Sequence, residues 1–149
     1  MRRSIVLVVA ILAAMAGFVG FSNPAQAEGR PFTVTLTGAA EAPGPGDPDA
    51  TGTASITLNQ GLGEVCFDLT WSDIDGTVTA SHIHAAPPGV AGPVVVTLFA
   101  TSLPGTGGTS DCVSADKDLI KDIRQNPENY YVNVHSTEFP AGAIRAQLG

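Results

Sequence analysis

The regular segments of this chain are short, and that shortness constrains its fold more than any other feature. Seventeen glycines and eleven prolines interrupt the 149 residues, and between them apolar and polar residues alternate at every second position. Strict alternation is typical of a β-strand with one buried face. The sequence therefore predicts short antiparallel strands rather than helical or βαβ units.

Seven segments carry the strand pattern. In the third of them, Val65, Phe67, Leu69 and Trp71 share one face. The segments are residues 32–36, 54–58, 65–71, 77–84, 94–99, 130–135 and 143–148. We predict an all-β fold, an antiparallel Greek-key β-sandwich of about seven to eight strands with one short helix.

The predicted helix covers residues 114–126, where Leu119, Ile120 and Ile123 recur at helical spacing. Lys121 and Arg124 fall in its second half, where cations suit the helix dipole. The proline at position 127 ends the segment.

The first 27 residues have the pattern of an export signal. Arg2 and Arg3 precede an apolar run over residues 5–21, and a small-x-small cleavage site ends at Ala27. We expect cleavage after Ala27, which leaves residues 28–149 as one secreted, extracellular domain. The apolar run is also long enough for an uncleaved anchor, but the turn-rich sequence after it favours cleavage and no membrane attachment.

The mature chain is expected to be strongly acidic. Residues 28–149 contain five basic and fourteen acidic side chains, a net charge of −9 before histidine. Such a surface repels nucleic acid and anionic lipid, so neither is expected as a partner, and it also disfavours an anionic substrate. An extracellular protein partner is compatible with it.

Two cysteines in an exported chain are expected to pair with each other. A Cys66–Cys112 disulfide would pin the glycine-rich loop at residues 104–108 to the sheet, and the chain-entropy account values it at about 4 kcal/mol. The alternative is two thiolate metal ligands, which the absence of a close Cys or His neighbour disfavours.

All three histidines lie in two predicted strands, at positions 82, 84 and 135. His82 and His84 are two residues apart and point to one face, with Ile83 opposite. With His135 from a neighbouring strand they form a ligand set for copper, and zinc would also accept it. The alternative is that the three rings only hydrogen-bond to nearby carbonyls or carboxylates.

Four further polar or aromatic residues are candidates for supporting roles. Asn133 is predicted to orient His135, and Tyr131 either shields a metal on that face or packs there. Glu41 and Arg145 are predicted to form a partly buried ion pair that ties the first loop to the last strand, with an anion contact at Arg145 as the alternative. No nucleophile elbow, no phosphate loop and no pair of carboxylates at a convincing catalytic spacing is present, so no catalytic residue is predicted.

Five motifs together resemble the CHRD domain, a module named from the extracellular protein chordin. They occur in the family's order and span nearly the whole mature chain, although Ala85 and Ala146 stand where glycine is expected. The motifs are LTGAAEAP at residues 36–43, ASHIH at 80–84, GPVVV at 92–96, YVNVHS at 131–136 and GAIRAQL at 142–148. The resemblance implies an extracellular β-sandwich.

A more distant similarity is to copper/zinc superoxide dismutase, also a Greek-key β-sandwich. It rests on the His-x-His motif at residues 82–84, the Val-x-Val-His motif at 132–135 and the Ala-Gly-Ala-Ile motif at 141–144. The similarity implies copper on His82, His84 and His135. The chain lacks the bridging histidine, the zinc cluster and the anion-guiding arginine of that family.

Three functions follow from these observations. The leading hypothesis is a secreted CHRD-domain binding protein without catalytic activity, whose three histidines hold copper. The second is a copper-dependent oxidoreductase of the superoxide dismutase type. The third is an extracellular protein-interaction module that binds no metal.

Overall fold

The structure is a computed structural model that describes residues 31–149. The predicted signal peptide, residues 1–27, and its cleavage site lie outside the described residues. Within residues 31–149, no helix has the length and apolar character needed to cross a membrane.

Eight β-strands and one α-helix make up the described chain. In chain order they are β1 (Phe32–Thr37), β2 (Thr51–Asn59), β3 (Glu64–Ser72), β4 (Val78–Ala85), β5 (Val94–Phe99), β6 (Gly107–Ser114), α1 (Lys117–Gln125), β7 (Tyr130–Ser136) and β8 (Ile144–Gln147). Each strand pairs antiparallel with its neighbours. The predicted all-β antiparallel fold with one short helix is confirmed.

The strands form one sheet in the order β5-β4-β7-β8-β1-β2-β3-β6. The sheet narrows in the middle, because β1 and β8 share only the register pair of Thr37 with Arg145. Phe99 of β5 stacks on Trp71 of β3 with ring centroids 5.9 Å apart, so the two four-stranded halves pack against each other. Their inner faces contribute to a single hydrophobic core.

The alternation in β2 and β3 fixes which residues enter that core. Along β3 every second residue from Val65 to Trp71 is buried, as the sequence predicts. The indole Nε1 of Trp71 donates a hydrogen bond to the Pro104 carbonyl at 2.8 Å, so its one polar atom is satisfied inside the core.

Helix α1 covers one end of the core. The Asp116 carboxylate caps it by accepting hydrogen bonds from the backbone N–H groups of Asp118 and Leu119. Ile120 and Ile123 are fully buried. The helix begins at Lys117 rather than at residue 114, because Ser114 still belongs to β6.

Strand β6 was not among the segments predicted from the sequence. It lies at an edge of the sheet beside β3, and Cys66 and Cys112 are directly opposite each other and disulfide-bonded. The bridge therefore joins two paired strands instead of pinning a loop. The alternation was not visible because most of β6 is exposed and only Thr109 and Val113 are half-buried.

Candidate metal centre

The three histidines lie on one face of the β4–β7 pair, the face directed away from the core. In the register, His82 is opposite Asn133, His84 is opposite Tyr131, and Ala80 is opposite His135. One ring nitrogen from each histidine lies within 4.8 Å of the others. The structure therefore brings together the three histidines that the sequence predicted, while Ile83 and Val132 point into the core.

Backbone carbonyls orient two of the three rings. His84 Nδ1 is 2.9 Å from the Gly92 carbonyl oxygen, and His135 Nδ1 is 3.1 Å from that of Pro140. A carbonyl only accepts, so both Nδ1 atoms carry the proton and both Nε2 atoms keep a free lone pair. Backbone contacts of this kind fix the tautomer and angle of a ligand histidine.

The third ring completes the set through a histidine–histidine contact. His82 Nδ1 lies 3.0 Å from His135 Nε2. Because His135 Nε2 has a lone pair, His82 Nδ1 donates to it in the protein without metal. His84 Nε2 is different, since it is buried and has no hydrogen-bond partner. Leaving such an atom unpaired costs about 1–3 kcal/mol, which marks it as an atom in need of a partner.

Burial keeps His82 and His135 uncharged near neutral pH. Burial, with smaller contributions from His135 and His84, lowers the pKa of His82 to about 4. Burial also lowers the pKa of His135, against the opposing effect of the Pro140 carbonyl. Both rings are therefore neutral at pH 7, which is the state that binds a metal ion.

A loop of residues 86–93, here called the covering loop, lies over this face of the sheet. The Arg145 guanidinium donates to the carbonyls of Val90 and Pro87 at 2.9 and 3.2 Å. Gln147 Nε2 donates to the Ala86 carbonyl at 2.8 Å. The loop contains no charged residue, and Val90 at its tip is 49% exposed. These bonds hold in place the same loop whose Gly92 carbonyl orients His84.

Tyr131 stacks between His84 and Arg145. Its ring is parallel to the His84 imidazole within 7°, with centroids 4.7 Å apart, and the Arg145 Cζ lies 3.4 Å from its centroid. The Gly92 N–H donates to its hydroxyl at 3.2 Å. Tyr131 thus packs against a candidate ligand, which is one of the two roles considered from the sequence.

Asn133, Glu41 and Arg145 make different contacts from those predicted from the sequence. The hydrogen bond that orients His135 comes from Pro140, and the Asn133 side-chain oxygen is buried without a partner. Arg145 directs its donors to the covering loop and Gln147, and Glu41 Oε1 has no hydrogen-bond partner. Burial raises the pKa of Glu41 to about 7, while the attraction of Arg145 acts to lower it. Within the described residues, the two groups interact through their charges and not through a direct hydrogen bond.

Sequence reasoning missed Gly92, Pro140 and Gln147, which position the site. Gly92 and Pro140 act through backbone carbonyls, which every residue has, so their side chains give no signal. Gln147 stands two residues after Arg145 on the same strand face, and that spacing was the only available indication.

Comparison with known proteins identifies one family. The profile of the CHRD domain matches residues 32–148, nearly all of the described chain. No curated protein and no solved structure shows a significant match to the chain.

Proposed function

Since the chain belongs to the CHRD family, we propose that it is a secreted binding module whose three histidines hold one metal ion, copper. Secretion is supported by the Cys66–Cys112 disulfide, because such bonds persist in oxidising compartments. The net charge favours a protein partner over nucleic acid or an anionic membrane.

The observation that carries the metal proposal is the unpartnered His84 Nε2. It is a buried acceptor in a cluster where a second lone pair, on His135 Nε2, is already turned inward by a backbone contact. The hydrogen bond between His82 and His135 satisfies a ring nitrogen of each, but His84 Nε2 is left without a partner. A metal ion would satisfy it together with its neighbours.

The ligand atoms follow from the hydrogen bonds. His84 and His135 would bind through Nε2, since their Nδ1 atoms donate to carbonyls, and His82 would bind through Nδ1. For this, His82 moves its proton from Nδ1 to Nε2 and remains neutral. Three imidazoles suit copper and also zinc, and a bound copper ion would supply a Lewis-acidic, redox-active centre.

The oxidoreductase hypothesis receives less support. Dismutation of an anion is helped by an exposed cation near the metal. Arg145 is 1% exposed and uses its donors on the covering loop, so it is not available for that role. The acidic surface further slows the approach of an anion.

The test is the metal content of residues 28–149 after loading with copper or zinc and dialysis. We expect about one equivalent in the wild type and none after His84→Ala. Thr53→Ala, on the exposed face of β2, is the matched control and should retain the ion. Equal metal content in the wild type and the His84→Ala variant would refute the site and leave the protein-interaction module without metal.

A further inference from the structure

A buried positive charge stands close to the histidine cluster. Strand β7 lies between β4 and β8, so His84 and Arg145 approach Tyr131 from opposite sides. The guanidinium is thus separated from a candidate ligand by the thickness of one aromatic ring. Arginine remains charged in proteins, and this one is 1% exposed, so water screens its charge poorly.

Among residues 31–149, no anionic group hydrogen-bonds to this charge. Its hydrogen-bond acceptors are the carbonyls of Pro87 and Val90 and the side-chain oxygen of Gln147, all of them uncharged. Glu41 attracts it without a hydrogen bond. The candidate ligand set consists of three imidazoles, which bind metal ions in their neutral form, and contains no carboxylate or thiolate.

These charges set a preference among metal ions. A dication on three neutral ligands keeps its full charge, and the buried guanidinium repels each unit of that charge. A monocation suffers half of the repulsion. Divalent ions are usually compensated by anionic ligands or nearby carboxylates, and the described residues place none in this cluster.

We propose, on the basis of the copper site proposed above, that Arg145 makes this site selective for Cu(I) over Cu(II). Tyr131 fixes the separation, because its ring contacts both groups and its hydroxyl accepts from Gly92. Arg145 is therefore a positioning residue for the covering loop and the source of the charge that discriminates between the two oxidation states.

The test separates charge from shape with two variants of the same residue. Arg145→Gln removes the charge, and Arg145→Lys keeps the charge but loses the planar guanidinium group with its several donors. For each protein, the Kd for Cu(I) is measured under anaerobic reducing conditions against a Cu(I)-specific chromophoric chelator, and the Kd for Cu(II) against a Cu(II) chelator. We expect the preference for Cu(I) to fall about tenfold in Arg145→Gln and to change little in Arg145→Lys.

A purely structural role for Arg145 gives a different result. Both variants would then weaken Cu(I) and Cu(II) binding to the same extent, and an unchanged ratio in Arg145→Gln would overturn the proposal. If the wild type binds neither Cu(I) nor Cu(II), the copper site itself fails, which is a distinct outcome.

If circular dichroism shows that Arg145→Gln does not fold, a second variant tests the effect of the Arg145 charge on the preference for Cu(I). Glu41→Gln leaves Arg145 in place and removes the carboxylate that attracts it. At pH 8, above the Glu41 pKa of about 7, we expect this variant to increase the preference for Cu(I). An unchanged or reduced preference would contradict the proposal.

Discussion

The outward faces of the two halves of the sheet carry polar residues at the same alternating positions but use them differently. On β2 and β3, Thr53 and Thr70 are exposed and hydrogen-bond to each other at 2.7 Å. On β7 and β8, Asn133 and Arg145 are each 1% exposed. The difference is the covering loop, which crosses only the second face. Polar residues on the outward face are therefore solvated on β2 and β3. On β7 and β8 they are buried and serve structure or binding.

The buried polar atoms without partners in the described chain occur in two places, and one of them is the covered face. Four buried polar atoms lack partners, and they belong to Glu41, Asp47, His84 and Asn133. His84 and Asn133 lie under or beside the covering loop, while Glu41 and Asp47 belong to the loop between β1 and β2 that packs on the start of β8. Binding sites commonly retain such unpaired groups, because a ligand supplies the missing partner.

The largest expected effect is on the covered face. Arg145→Ala removes three hydrogen bonds and the contact with Tyr131, and it takes away the donor of the Pro87 and Val90 carbonyls. We expect the free energy of unfolding to fall by about 4 kcal/mol, measured by urea denaturation. Arg124→Ala, at an exposed position of α1, is the control and should change the stability little. Equal effects of the two substitutions would show that the covering loop does not depend on Arg145.

A smaller effect is expected on the pH dependence of the free energy of unfolding, through Glu41. The pKa of Glu41 rises from 4.5 to about 7 on folding, so the folded protein holds a proton that the unfolded chain releases. The stability that this proton provides is complete below pH 4.5 and is lost as the pH rises through 7. Relative to Glu41→Gln, the wild type should lose roughly 3 kcal/mol over that range.

The measurement is urea denaturation of both proteins from pH 4 to 8. Comparing wild type with Glu41→Gln cancels the opposite contribution of His82, whose lowered pKa costs stability as the pH falls from 6.5 towards 4. The difference in unfolding free energy between wild type and the control Thr53→Ala should be independent of pH. A difference between wild type and Glu41→Gln that stays constant with pH would place the Glu41 carboxyl in contact with solvent.

The smallest effect is expected on the exposed face. Thr53→Ala removes one hydroxyl contact with Thr70, and water can replace it. We expect a loss of no more than about 0.5 kcal/mol at pH 7. A loss comparable to that of Arg145→Ala would mean that polar residues on both faces contribute equally to stability, which would contradict the contrast between the two faces.

The alternation of apolar residues was sufficient to predict seven strands and the face on which the histidines meet. The pair His82 and His84 follows from the two-residue repeat, and His135 follows from a strand that pairs with theirs. Strand β6 could not be predicted, because its edge position leaves it almost without apolar residues. The orientation of the rings was also inaccessible, since it depends on carbonyls of residues that are brought near only by the folding of loops.

The covering loop begins a stretch of the chain, residues 85–110, that has no charged side chain, although the whole protein has a formal charge of −7. Electrostatic repulsion between like-charged molecules is weakest where the approaching surface is neutral. Another acidic molecule, or a second copy of this one, that approaches the tip of this loop beside Val90 therefore meets no negative charge from residues 85–110. The loop that covers the histidine face thus adds no charge of its own to the repulsion between this protein and an acidic neighbour.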